Sequence, residues 1–431
     1  MVDALHSIYN ALWYPALPLA LLSSSGGSIA QRLGRSGIPA ATRPGSNDSP
    51  VIWFHTASVG EVEAVSGIAA GLMDGLPDAS LVTTSMTAAG RDAARRRIPR
   101  ARACLIAPFD CRPLVRTFVS GLRPDLLAVA ETELWPNYFF EARRAGSRIA
   151  IVNGRISPRT LGRYLLLRPL FARTLDLADL VLAQTATDAA RYRVLGAPRR
   201  RVVVTGNTKF DLALAAAPPT TRPPLSRLCD GRRIVVAGST APGEDEIVIE
   251  AWRMIRMNGE RDPALRLVLA PRHLKRTEDV ARMLDTARLP YIRATALDGA
   301  NGSNENTAEV ILLDTMGDLR GLYYRAAAAF VGGSMVPGRG GQSLAEPAAA
   351  AVPVLFGPWH ESQRQIADSL TSGAGGRVVR NARELAAALS ELLANEAARV
   401  EAGRAARRSL EGLGGAIDAS LPLLRSLVSQ S

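Results

Sequence analysis

Between Asp314 and Pro358 the chain reads Asp314-Thr315-Met316-Gly317-Asp318-Leu319, then Ala329-Phe330-Val331-Gly332-Gly333-Ser334. It continues Gly340-Gly341-Gln342-Ser343-Leu344-Ala345-Glu346-Pro347 and closes on Val352-Pro353-Val354-Leu355-Phe356-Gly357-Pro358. Two apolar runs of strand character end in glycine. Between them a glycine loop opens an Ala-rich helix, predicted over Glu346–Ala351, with an acid in its first turn. Such a loop gathers backbone N–H groups at the positive end of a helix dipole, an arrangement that suits a phosphate. A carboxylate there repels phosphate but accepts hydrogen bonds from ribose hydroxyls. Phosphate donors beside a sugar acceptor read as a nucleotide site. In isolation the motif also fits a plain Gly-rich turn, so the rest of the chain must decide.

Outward from this stretch, short apolar runs alternate with helical ones. The N-terminal half has strand signals at Val51–His55, Leu81–Thr84, Leu126–Ala130, Ile149–Val152, Leu180–Ala183 and Val202–Thr205. The C-terminal half repeats the pattern at Ile234–Ala237, Leu265–Ala270, Val310–Leu313, Ala328–Val331 and Val352–Phe356. Val/Ile/Leu runs separated by helices predict parallel sheets covered on both faces. Pro218, Pro219, Pro223 and Pro224 mark residues 212–233 as a linker. The predicted class is α/β, with two Rossmann-like domains facing a central cleft, at 32–211 and 234–431. Ligands of open α/β sheets bind beyond the C-terminal strand ends. Residues 294–308, rich in Asn, Gly and Ser, read as a surface loop.

Nearly every strand end carries something polar. Ser58-Val59-Gly60-Glu61 follows the first strand and opens a helix, whose dipole favours an ionised Glu61. Such a carboxylate can take a proton from an attacking hydroxyl. Glu131-Thr132-Glu133-Leu134-Trp135-Pro136-Asn137 closes another strand, and Asn153-Gly154-Arg155-Ile156-Ser157 the next. Gly206-Asn207-Thr208-Lys209-Phe210-Asp211 ends the half, with Lys209 placed to neutralise phosphate charge. In the second half Gly238-Ser239-Thr240 and Ala270-Pro271-Arg272-His273 occupy the same kind of position. An arginine there can grip a phosphate with two parallel hydrogen bonds.

Composition narrows the class. Of 431 residues 47% are apolar, enough for sizeable cores, and the net charge is +12. The arginines are scattered, with no aromatic-interleaved basic motif and no zinc-finger spacing, which argues against a nucleic-acid partner. Cys104, Cys111 and Cys229 form no Cys-x-x-Cys pair, in keeping with a reducing compartment and no structural metal. Residues 4–22 are uncharged and apolar, are interrupted by Pro15 and Pro18, and are followed by Arg32, Arg35 and Arg43. We expect residues 1–31 to form an N-terminal membrane-associated segment, interfacial or barely spanning, with the arginines against anionic lipid. A helix packed on the globular body is the other reading.

In their order, these motifs resemble the 3-deoxy-D-manno-octulosonic acid (Kdo) transferases of lipopolysaccharide biosynthesis, over nearly the whole chain. Glu131–Asn137 and Asp314–Leu319 are the most specific in combination. The resemblance implies an inverting GT-B glycosyltransferase with no metal and no cofactor. It would move Kdo from CMP-Kdo to a lipid A precursor at the cytoplasmic face of the inner membrane. It also implies Glu61 as general base, with Glu131 and Lys209 supporting the transition state. Ser58 and Gly60 join that site. Ser239, Thr240, Pro271, Arg272, His273, Met316, Gly317, Asp318, Gly341, Gln342, Ser343, Leu344, Ala345 and Glu346 fall to the donor. The chain departs from the family pattern at Ser343, where Asn is usual, at Ala241, where His is common, and at Ala89, where Thr is common. A GT-B transferase using a UDP-sugar and a non-catalytic nucleotide-sugar binder are the alternatives.

Overall fold

The computed structural model describes residues 2–22, 26–34, 49–257, 262, 264–298 and 307–429. The chain divides into two compact units, Met1–Leu212 with Gly414–Ser431, and Ala213–Leu413.

Unit 1 is built on seven strands: β1 Val51–Thr56, β2 Ser80–Ser85, β3 Ala103–Ile106, β4 Leu126–Ala130, β5 Arg148–Gly154, β6 Leu180–Ala183 and β7 Val202–Val204. All pairs are parallel, in the order β3-β2-β1-β4-β5-β6-β7. Side chains alternate between the two faces. Trp53, Leu127, Val129, Ile149 and Ile151 pack into one core, and Ile52, Phe54, Leu126, Ala128 and Val152 into the other. Two buried faces explain strands that read as continuous apolar runs.

Unit 2 repeats the plan with β8 Arg233–Thr240, β9 Leu265–Pro271, β10 Tyr291–Arg293, β11 Val310–Leu312, β12 Ala326–Val331, β13 Val354–Phe356 and β14 Gly376–Val378. The order is β10-β11-β9-β8-β12-β13-β14, again all parallel. Val235, Ala237, Leu267, Leu269 and Phe330 fill one side, and Ile234, Val236, Val268 and Ile311 the other. Three strands escaped the sequence reading. β3, β10 and β14 are edge strands of three or four residues, too short to carry a period of their own.

Two expected boundaries need correction. The segment 212–233 is not a bare linker, because Pro223–Cys229 is helical. Its Leu225, Leu228 and Cys229, spaced along one helix face, join a unit 2 core. The second domain does not run to residue 431, because Gly414–Ser431 belongs to unit 1. The last helix, Ala416–Val428, buries Leu424 and Val428 in the unit 1 core. It lies along helix Val59–Gly75, whose Gly67, Gly71 and Gly75 form a groove. A Cβ at Gly67 would sit 2.3 Å from Ile417, at Gly71 2.5 Å from Leu421, and at Gly75 2.3 Å from Arg425. Asp211 caps the incoming helix by accepting from the backbone N–H of Gly415 at 2.5 Å and of Ile417 at 3.2 Å.

The N-terminal segment is helical over Val2–Leu22 and Gly26–Arg32; Arg35 and Arg43 lie outside the described residues. Among the described residues no helix is long and apolar enough to cross a membrane. The first helix is amphipathic in use. One face packs on unit 1 through His6, Tyr9 and Trp13. Ile8, Leu12 and Tyr14 on the other are 55%, 62% and 68% exposed, so that face is available to an apolar partner. The second helix covers the β3 edge: the Ile106 N–H donates to Gln31 Oε1 at 2.8 Å, an edge amide that would otherwise be open to foreign pairing. Of the expected loop at 294–308, Ala294–Asp298 is a 3-10 turn, and 299–306 lie outside the described residues.

Candidate active site

In both sheets the chemistry-bearing loops leave the C-terminal ends of parallel strands, and hence emerge at one edge. The strand order reverses between β1 and β4 in unit 1 and between β8 and β12 in unit 2. Open α/β sheets place their ligands at such switch points.

Glu61 follows β1 and stands in the first turn of helix Val59–Gly75. Its Oε2 accepts the Ala57 N–H at 2.7 Å, and its Oε1 accepts from the Ser58 hydroxyl at 3.3 Å. This is capping chemistry at a helix start, yet the acid is not at rest. Burial pushes its carboxyl up to about 7, opposed by the Ala57 N–H and reinforced by the negative charges of Glu133 and Glu131. A carboxylate poised near neutrality suits general-base work. A Cβ added at Gly60 would touch nothing within 4 Å, so the helix start beside Glu61 is open.

Glu131 follows β4, the neighbour of β1. Its φ of 46° is left-handed, a strained geometry for a residue with a Cβ. The surroundings hold it there. Its carbonyl accepts from Tyr192 Oη at 2.5 Å, and its Oε1 accepts from Lys209 Nζ at 2.7 Å. The Tyr164 hydroxyl donates to Thr132 O at 2.9 Å, while Thr132 Oγ1 donates to Arg155 O at 2.6 Å. Lys209 is fixed in turn. Thr208 donates its backbone N–H to Asn153 Oδ1 at 3.2 Å and its hydroxyl to Ala64 O, on the Glu61 helix, at 2.6 Å. The structure therefore brings Glu61, Glu131 and Lys209 together on unit 1. It adds Glu133, whose Oε2 accepts from Trp135 Nε1 at 2.7 Å. Burial raises the Glu133 carboxyl, against the Trp135 hydrogen bond and with help from Glu131. In the sequence Glu133 is one more acid of the stretch Glu131–Asn137, because a surface acid and a half-buried one look alike there.

On unit 2 the fully buried Glu244 organises the glycine loops, and sequence reasoning missed it. Its carboxylate accepts four backbone N–H groups, from Ala241 at 2.7 Å, Gly333 at 2.6 Å, Ser334 at 2.8 Å and Met335 at 2.7 Å. The loop so fixed holds the next one. The Gly341 N–H donates to Gly333 O at 2.7 Å and the Gln342 N–H to Gly332 O at 3.0 Å. Gly333, Gly340 and Gly341 all have positive φ, which is why glycine stands there.

The expected donor residues divide by exposure. Arg272, His273, Met316, Gly317 and Ser343 are exposed, and Ser239, Gln342 and Glu346 are half-buried. Thr240, Pro271, Gly341, Leu344 and Ala345 are buried. Thr240 is occupied: its hydroxyl donates to Asp245 Oδ1 at 2.6 Å, and its carbonyl accepts the Arg272 N–H at 3.0 Å. It thus shapes the Arg272 turn rather than presenting a free hydroxyl. Asp318 is also committed, ion-paired with Arg222 at 3.0 Å and accepting from Thr315 Oγ1 at 2.6 Å. The helix carrying Glu346 spans only Ala345–Ala349, shorter than expected, so its dipole is that of little more than one turn. Among the described residues no group of three or more His, Cys, Asp or Glu side chains stands close enough to hold a metal ion.

Comparison with known proteins identifies the family. Residues 28–212 match the family model described as 3-deoxy-D-manno-octulosonic-acid transferase (kdotransferase). A 3-deoxy-D-manno-octulosonic acid transferase of Bordetella pertussis is 34% identical over 385 residues, 87% of this chain and 86% of the relative. That of Haemophilus influenzae is 31% identical over 389 residues, 88% of each. Solved structures are similar at lower identity. A glycosyltransferase from Rickettsia africae superposes with a TM-score of 0.59 at 12% identity, covering 89% of this chain and all of that one. The Anabaena protein HepE in complex with UDP gives 0.58 at 14%, over 88% of this chain and 100% of that one. These last likenesses are of fold alone, that of an α/β chain in two units. With a third of its residues shared with curated members over most of both lengths, the chain belongs to the 3-deoxy-D-manno-octulosonic acid transferase family.

Proposed function

We propose that the protein transfers Kdo from CMP-Kdo to a hydroxyl of a lipid A precursor, with inversion and with Glu61 as general base. The observation that carries this reading is the acid cluster of unit 1 in a chain of this family. Three carboxylates that sense one another's charge, one of them ion-paired with a lysine, lie beside the sheet's switch point, and one carboxylate is poised near neutrality. In the reaction the acceptor oxygen bonds to the anomeric carbon of Kdo as its proton passes to Glu61. The bond from that carbon to the phosphate oxygen breaks, and CMP leaves with the electron pair. Unit 1 supplies the base. The Glu131–Lys209 pair adds a fixed dipole whose positive end can meet developing negative charge. Unit 2 supplies the nucleotide site, where the Arg272 guanidinium is exposed for phosphate and Glu346 stands at the glycine loop for the ribose.

The acceptor is a lipid, and the first helix offers Ile8, Leu12 and Tyr14 to a membrane surface. Leu166, 82% exposed between Arg163 and Arg168, is a second apolar point flanked by cations. Both support placement on anionic lipid at the inner membrane's cytoplasmic face. Incubating the protein with CMP-Kdo and a lipid A precursor, then weighing the lipid by mass spectrometry, tests the reading. The expected product is heavier by one or more Kdo residues. Transfer from a UDP-sugar with none from CMP-Kdo would overturn it.

A further inference from the structure

We propose that the N-terminal helix Val2–Leu22 does more than hold the protein at a surface: it positions the acid loop Glu131–Trp135. The proposal rests on the functional reading above. It starts from the short helix Pro136–Arg144 that directly follows the loop. The N-terminus of that helix has no cap from its own chain neighbour, since the side chain of Trp135 at the N-cap bonds back to Glu133 and caps none of the helix amides. Asp110, fully buried, caps it from a distance. Its Oδ1 accepts the Tyr138 N–H at 3.2 Å and its Oδ2 the Asn137 N–H at 3.3 Å. Asn137 Nδ2 returns a bond to Asp110 O at 2.6 Å.

The N-terminal helix closes this knot from outside. Tyr9 Oη donates to Asp110 Oδ2 at 2.6 Å, and His6 Nε2 donates to Asn137 Oδ1 at 2.9 Å. The His6 ring stacks on Phe140, centroids 4.0 Å apart and planes 17° from parallel. Two residues one helical turn apart thus grip both halves of the Asp110–Asn137 pair. Asn137 is the last residue of the motif whose Glu131 and Glu133 lie near enough to Glu61 for their charges to act on it. A buried carboxylate whose donors are removed is costly, so loss of the Tyr9 hydroxyl is felt at Asn137 and Tyr138. Glu131 is strained and needs its surroundings to stay in place. The outward face of the same helix, Ile8, Leu12 and Tyr14, makes none of these bonds, so anchoring and positioning reside on opposite faces.

The test uses the full chain with two double variants. His6→Ala with Tyr9→Phe removes the inner grip; Ile8→Ser with Leu12→Ser alters only the outer face. Amide hydrogen exchange is read first, because it needs no substrate. The inner variant is expected to speed exchange at Leu134–Phe139 about tenfold, the scale set by one lost hydrogen bond, with β4 and β5 unchanged. The outer variant is expected to leave those amides as in wild type. Turnover is read second, at saturating CMP-Kdo and lipid A precursor in detergent. The inner variant is expected to lose at least about tenfold in kcat, with the donor KM and binding to anionic vesicles unchanged. The outer variant is expected to lose vesicle binding and keep kcat. Unchanged exchange at Leu134–Phe139, or faster exchange throughout unit 1, overturns the proposal, as does a full kcat in the inner variant. If wild-type protein transfers no Kdo, the functional reading fails instead, and the exchange result still decides whether the helix fixes the loop.

Discussion

Glu61 carries the sharpest consequence at the scale of a single residue. Its carboxyl is pushed by burial from the ordinary 4.5 to about 7, and the proposed base role requires the ionised form, so turnover is expected to fall as pH drops through about 7. Glu61→Gln keeps shape and removes basicity. It should cost about 10²–10⁴-fold in kcat with CMP binding intact; turnover within about threefold of wild type would shift the role to Glu131. Stability moves the other way. A carboxyl whose folded pKa is raised favours the folded state below its unfolded value and loses that contribution as pH rises towards the folded one. Melting temperatures of wild type and the Gln variant should therefore agree best near pH 4.5, with the variant gaining on wild type by pH 8. On unit 2, Arg272→Ala should weaken CMP-Kdo binding by about 1.5–3 kcal/mol and leave acceptor affinity unchanged, as calorimetry with each substrate would show. Both residues were legible in the sequence, because strand-end position and side-chain chemistry name them. Glu133 and Glu244 were not. Their roles depend on half-burial beside Trp135 and on four backbone N–H groups drawn from two separate segments.

Among elements, the pairing of helix Val59–Gly75 with helix Ala416–Val428 has the clearest test. Gly67, Gly71 and Gly75 repeat every four residues and admit the ridge of Ile417, Leu421 and Arg425. The same four-residue spacing is visible in the sequence, but glycines in a helix name no partner, and this one arrives more than 340 residues later. Gly71→Val should destabilise unit 1 by about 1–3 kcal/mol through overpacking, read as a lower urea midpoint for the unit 1 transition. An unchanged midpoint would mean that the helices separate without cost. This contact matters for the site, since the same helix presents Glu61 at its start.

For the whole molecule, the two units and the crossing back of the chain set the expectation. Ending the chain at Leu413 removes Leu424 and Val428 from the unit 1 core. Calorimetry should then show the unit 1 transition lowered by several degrees, because buried leucine and valine side chains contribute about 1.5–3 kcal/mol each. The transition of unit 2, identified by its upward shift with added CMP, should stay in place. A drop in the CMP-sensitive transition instead would assign the last helix to the wrong unit.

The sequence by itself determined the class of the fold and which polar residues stand at the strand ends. Runs buried on both faces read as parallel strands whatever surrounds them, and polar residues at their C-terminal ends fall at one sheet edge by the geometry of a parallel sheet. The order of the motifs carried the family. What only the tertiary structure decided were relations between residues far apart along the chain. These are the return of the last helix to unit 1, the helical packing of Pro223–Cys229, the commitment of Thr240 and Asp318 to protein partners, and the grip of His6 and Tyr9 on Asn137 and Asp110. The physical reason is common to all of them. A local pattern fixes periodicity and burial, whereas the identity of a hydrogen-bond or packing partner is set only when the chain is folded and two distant segments meet.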